Sequence, residues 1–181
     1  MATEKQINEF ARKIGLTLIN AGTKMLRSAY DLKPLTFTAS QINTFLQDQI
    51  AGLGISLYDE KYSTTDWNTW EWIKDLDLLD TLQYYSDTFD CDNFSYAFAS
   101  RASTFYLLNS CGVATGWIYD PITKQKLFRH AFNLIITQDN GMLKLILYEP
   151  QTDEFKIWEK GKDNILPTLN WLYKPDWVIF F

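Results

Sequence analysis

Cysteine is scarce in this chain: Cys91 and Cys111 are the only two, enough for one bridge at most. If the stretch between them is one helix, its ends lie about 30 Å apart at 1.5 Å per residue, which excludes a disulfide and leaves two free thiols. Basic charge is also short, with 17 Lys and Arg against 22 Asp and Glu, a net charge of −5 and a pI near 4.9. Such a field repels phosphate backbones, so nucleic acid is not an expected partner. No apolar run approaches the ~18 residues of a membrane span. The first residues lack the basic, apolar and small-residue zones of a signal peptide. A cytoplasmic protein with no membrane partner is the expectation. Repeats and low-complexity segments are missing as well.

Aromatic residues are plentiful: twelve Phe, ten Tyr and seven Trp. Most of them must be core, because an exposed set that large would aggregate. A chain of about 150 residues removes roughly 68–70% of its unfolded surface from water, so neither metal nor disulfide is needed for stability alone. The expected organisation is one domain over 1–181, with a helical portion over 1–80 and a core helix plus antiparallel sheet over 84–181. Thr3 to Gln6 has capping-box form, and Ile7, Phe10, Ala11, Ile14 and Leu18 follow at helical spacing until Gly22. Thr38 to Gln41 repeats the signature ahead of Ile42, Phe45, Leu46 and Ile50. From about Asp66 to Tyr84 a third helix carries Trp67, Trp70, Ile73, Leu76, Leu79 and Leu82 on one stripe, read as core rather than as a sugar platform.

Asp90 is a good N-cap, which puts Cys91 at the first position of a fourth helix that runs to about Ser110 and stops at Gly112. Then the period changes to two. Segments 128–137 and 142–149 flank Asp139-Asn-Gly141, a strong hairpin signal. Short strands are expected over 154–158 and 177–181. Helices first and antiparallel sheet second make the fold class α+β.

A helix N-terminus stabilises a thiolate, because unpaired N–H groups and the helix dipole face the sulfur; the same groups can receive a developing oxyanion. His130, the only histidine, opens the hairpin. With Asn140-Gly141 as a two-residue loop, Asp139 faces Met142 and His130 faces Gln151. Glu149 then shares the face of His130 at a Cβ separation of roughly 7 Å or less. Phe132, Leu134, Ile136, Leu143, Leu145 and Leu147 occupy that same face, which helices must cover. A one-residue slip would part His130 from Glu149.

Asp90-Cys-Asp-Asn-Phe94, His130-Ala-Phe-Asn133 and Glu149-Pro-Gln151, in that order, resemble the papain-like, transglutaminase-like cysteine protease domain found at the C-terminus of certain mushroom chimerolectins and in related phage and bacterial proteins. The likeness covers roughly Tyr84 to Trp158. It implies a papain-like fold, with Cys91 as nucleophile, His130 as general base and acid, and Glu149 as its orienter, acting on peptide or amide bonds through an acyl-enzyme. It also implies calcium or manganese near the nucleophile: Asp92 and Asn93 match such positions, while Asp87, Asp90 and Asp120 are suggested by chemistry alone. The sequence itself requires no cofactor. For the oxyanion, Gln83 lies eight residues before Cys91, and Gln151 and Asn133 are substitutes; as an orienter of His130, Asn133 ranks low because it faces away.

The expected function is therefore a cysteine-dependent amide hydrolase or acyl transferase on a protein or peptide substrate. One alternative is a non-catalytic phage or bacterial binding module that retains the fold. A second is a peptidoglycan endopeptidase, although Asp-Cys-Ser-Gly is missing. The N-terminal helices are open to three readings: lid, homodimer surface or scaffold.

Overall fold

The computed structural model describes residues 34–181 together with Thr17, Ala21 and Gly22, and the chain divides into two compact units, Met1–Lys33 and Pro34–Phe181. In the first unit Thr17, Ala21 and Gly22 are helical; Ile7, Phe10, Ala11, Ile14 and Leu18 lie outside the described residues. The second unit starts with β1 (Leu35–Thr38), α1 (Ala39–Gln49), β2 (Gly54–Leu57) and β3 (Lys61–Thr64). The helices α2 (Trp67–Asp77) and α3 (Cys91–Tyr106) follow. Strands β4 (Cys111–Tyr119), β5 (Lys126–Asp139), β6 (Met142–Glu149), β7 (Glu154–Ile157), β8 (Ile165–Leu166) and β9 (Trp171–Phe180) complete it.

Strands dominate: in the second unit nine of them accompany three α-helices. The main sheet runs β2-β9-β4-β5-β6-β7, with β8 also on β9, and β1 and β3 form a separate pair. The expected α+β, papain-like layout of helices followed by an antiparallel sheet is corrected on this architecture. β1, β2 and β3 interrupt the region read as helical, and β2 joins β9 in parallel, so the sheet is mixed. Four-residue strands are too short to show a period of two, and their partners lie far along the chain.

Helix boundaries follow local chemistry. Thr38 caps α1 with the capping box read from sequence, and Ile42 and Leu46 are fully buried. Asp66 caps α2 by accepting from Thr69 N at 3.0 Å. This helix stops at Leu78, in the left-handed region at φ 56°, so the expected run to Tyr84 is shortened and Leu76 and Leu82 are exposed. Likewise α3 ends at Leu107, φ 55°, with Leu108 N donating to Ala102 O at 3.1 Å. That backward bond satisfies an orphan carbonyl before Ser110 is reached.

The β5–β6 hairpin has the expected register, with Asp139 opposite Met142 and Asn133 opposite Tyr148. Asn140 and Gly141 both take positive φ, at 49° and 79°, as a two-residue primed turn requires. Phe132, Leu134, Ile136, Leu145 and Leu147 enter one apolar cluster with Ile42 and Leu46 of α1. The opposite face packs on α3, where Phe98 meets Tyr148 at 4.4 Å between ring centroids.

At the centre of the sheet Gly116 of β4 pairs with His130 on one side and Pro175 on the other. A Cβ on Gly116 would sit 2.4 Å from Lys174 O and 2.6 Å from Pro175 Cα, both backbone atoms. Gly116→Ala should therefore push β9 away and cost about 1–3 kcal/mol in chemical denaturation. An unchanged midpoint would show that β9 yields freely.

Candidate functional site

Pairing between β5 and β6 ends at Asn133 and Tyr148, so residues 126–132 of β5 have β4 as their only ladder partner. His130 sits just beyond that end, on the face shared with Glu149. The His130 Nε2 lies 2.6 Å from Glu149 Oε2, with 7% and 0% of the two residues exposed. Glu149 is further held by the Tyr173 hydroxyl, which donates to Oε2 at 3.0 Å, and by Gln151 N, which donates to Oε1 at 3.3 Å. A buried carboxylate with three such partners has little freedom, so it fixes the imidazole edge that faces it.

Cys91, half-buried on the first turn of α3, lies beside the His130 ring in the wall of one cleft. Burial opposes a charged imidazole here, but the hydrogen bond to Cys91 and then the hydrogen bond and charge of Glu149 outweigh it, and the His130 pKa is raised to about 9. Cys111 is a contrast: complete burial, followed by the charge of Asp77, pushes its thiol well above the usual range. Both cysteines are free.

Over these groups lies a cleft of about 360 Å³ lined by Tyr84, Cys91, Phe128, Arg129, His130, Gln151 and Trp171. Trp171 meets the His130 ring edge-on at 5.3 Å between centroids, and Phe128 stands at right angles to both. Arg129 is held at the rim by Asp176, 2.7 and 2.9 Å away. Gln151 is wall as well as neighbour: its Nε2 is buried and has no hydrogen-bond partner. A buried amide with unused donors costs of order 1–3 kcal/mol, which a ligand acceptor would recover.

The structure thus brings together Cys91, His130, Glu149 and Gln151 from three separated segments. It does not bring Gln83, whose Oε1 accepts from the Tyr85 hydroxyl at 3.0 Å on the exposed surface. Asn93 is committed to the start of α3, its Oδ1 accepting from Asp90 N at 3.1 Å. Asp92 hydrogen-bonds the Asp90 carboxyl and raises its pKa, and Asp87 occupies a turn at φ 63°. Among the described residues no three acidic, Cys or His groups are placed to hold a metal ion. Asp120 caps its own turn, accepting from Thr123 N at 2.6 Å, and Asn133 points to the other face, donating to Ser95 O at 3.0 Å. Tyr84, Phe128, Arg129, Trp171 and Tyr173 were not legible as site residues, although Trp171 and Tyr173 share a face by strand alternation. No helix among the described residues is long and apolar enough to cross a membrane.

No family model matches the chain, and no curated protein matches it. Solved structures share its fold, two of them as follows. One, described as a PSL1a-E64 complex, is 18% identical with a TM-score of 0.59, matching 81% of this chain and 51% of its own. The other is Polyporus squamosus lectin bound to the human-type influenza-binding epitope Neu5Aca2-6Galb1-4GlcNAc, 17% identical with a TM-score of 0.57, matching 81% of this chain and 50% of its own. The chain spans about half the length of each, and identity this low shows the fold alone.

These neighbours overturn several expectations. The papain-like, transglutaminase-like protease identity is corrected, as is the hydrolase or acyl-transferase function on peptide or amide bonds. Neither alternative, the phage or bacterial module and the peptidoglycan endopeptidase, matches the lectin neighbours. The physical reason is that three motifs of three to five residues fix a local arrangement of side chains. They do not fix the architecture around it or the bond acted upon.

Proposed function

We propose that the second unit is a carbohydrate-recognition domain whose ligand sits in the cleft above Cys91, His130 and Glu149. The observation that carries the reading is the composition of that cleft: aromatic walls from Tyr84, Phe128 and Trp171 around polar donors from Arg129 and the unpartnered Gln151 amide. Aromatic faces take the apolar side of a sugar ring, and a few placed donors fix its hydroxyls. The lectin neighbour with its bound sialylated trisaccharide supports the ligand class. At the floor of the cleft Cys91 serves as nucleophile, His130 exchanges its proton, and Glu149 orients the ring. This assigns the site a reactive thiol without assigning the bond it acts on.

One alkylation experiment reads both halves of the proposal. Iodoacetamide at pH 6 should modify Cys91 at least tenfold faster than buried Cys111, and His130→Ala should remove most of the difference. Saturating Neu5Acα2-6Galβ1-4GlcNAc should slow modification of Cys91 severalfold by covering it. Equal rates at the two cysteines would overturn the thiol assignment, and undiminished modification under saturating glycan would overturn the placement of the ligand.

A further inference from the structure

A second and larger cleft, of about 540 Å³, lies where the start of α2 meets the tip of the β5–β6 hairpin and β7. Trp67, Asn68, Gln138, Asn140, Lys144 and Ile157 line it, and none of them belongs to the Cys91 site. Its volume is within the roughly 300–1,000 Å³ in which proteins hold small ligands.

The walls are fixed in advance. Thr137 Oγ1 donates to Thr65 O at 2.8 Å, Gln138 N donates to the same carbonyl at 3.2 Å, and Thr64 Oγ1 donates to Ile136 O. The start of α2 is thereby stitched to β5. Phe155 braces the Trp67 indole, with ring centroids 5.7 Å apart and tilted by 58°. Trp67 was read from its period as core, yet it remains half-buried while Trp70 on the same stripe is fully enclosed. Its uncovered surface therefore faces a preformed space.

The charges in the cleft are already matched. Lys144 holds Asp139 at 2.6 Å, and Asp66 spends its carboxylate on Thr69 N and Oγ1, each at 3.0 Å. Among the described residues that line the cleft no unpaired cation remains to draw an anion, and the capped helix end is not an anion site. Uncommitted capacity is in neutral amides. Asn68 makes no side-chain hydrogen bond among the described residues, and Gln138 accepts from Gly141 N at 3.0 Å through Oε1, leaving its NH2 free. Apolar surface from Trp67 and Ile157 faces these amides across the space.

We propose that this cleft is a separate subsite for an uncharged sugar ring, which stacks on Trp67 and hydrogen-bonds Asn68 and Gln138. The ligand class rests on the carbohydrate reading above; the site itself does not. The test is a titration of the full chain with methyl glycosides of neutral hexoses up to roughly 10 mM, where dissociation constants near 1 mM are evident. Amide and indole NMR signals report the site. At least one glycoside should shift the Trp67 indole and the Asn68 and Gln138 side-chain amides saturably. The shift should weaken at least tenfold in Trp67→Ala and in Asn68→Ala, whose exposed position keeps the fold intact, and persist in Cys91→Ser. Free sialic acid should not displace the glycoside. The proposal is overturned by no saturable shift with any neutral glycoside, by full binding in Asn68→Ala and Trp67→Ala, or by tighter binding of the acid than of neutral rings. Failure of the Cys91 reading would appear only in the alkylation rates.

Discussion

Glu149→Ala is expected to destabilise the second unit by about 3–5 kcal/mol at pH 7, because it removes one member of a buried, oppositely charged pair and strands the other. The wild-type geometry leaves no substitute partner on that side. Glu149 is fully buried, Nε2 of His130 is 2.6 Å from its Oε2, and the Tyr173 hydroxyl and Gln151 N both depend on the same carboxylate. After the change His130 keeps only Cys91, Tyr173 loses its acceptor, and a cavity opens at the end of β6. Glu149→Gln separates charge from packing: it fills the space and offers an acceptor, so its cost should fall clearly below that of Ala. Urea unfolding at constant m-value measures both. A loss under about 1 kcal/mol for Glu149→Ala would mean that water enters and solvates the imidazole, and that the pair is not sealed.

The contacts legible in the sequence were those set by short-range rules. Asn140-Gly141 dictates a primed turn, the turn dictates the register, and the register places His130 and Glu149 on one face and Leu134, Ile136, Leu145 and Leu147 beneath α1. Asp90 and the helical period place Cys91 on a first turn. The architecture was not legible because glycine and proline carry two meanings. Gly112 read as a helix stop, yet it and Gly116 lie inside β4, where their missing side chains let Val178, Phe180 and the backbone of Lys174 and Pro175 approach. The last strand was expected over 177–181, yet β9 starts at Trp171 and carries Pro175 at a register shift, which hid Trp171 and Tyr173 from the site. Both residue types mark irregular backbone, and the sequence alone does not say whether the irregularity ends a strand or bends one against a neighbour.

Stability should fall by about 3 kcal/mol as pH rises from 6.5 to 9, and His130 should account for the fall. Its pKa is raised from 6.5 to about 9 in the folded chain. Between those values the folded state holds a proton that the unfolded chain has released, so raising the pH pulls the equilibrium towards unfolding; below 6.5 the full contribution is present, and above 9 it is gone. Asp77, lifted to about 6 first by burial and then by the charge of Asp153, against the Leu79 N–H that lowers it, also weakens the fold as it ionises, but it finishes below this window. Burial keeps Cys111, Tyr148 and Tyr173 protonated beyond it. Urea midpoints taken at intervals across the range should therefore slope downward in the wild type and run flat in His130→Gln, which retains a polar side chain without a proton to lose. A slope that survives in His130→Gln would assign the titration to another group, and would remove the imidazolium that the Cys91 site is built on.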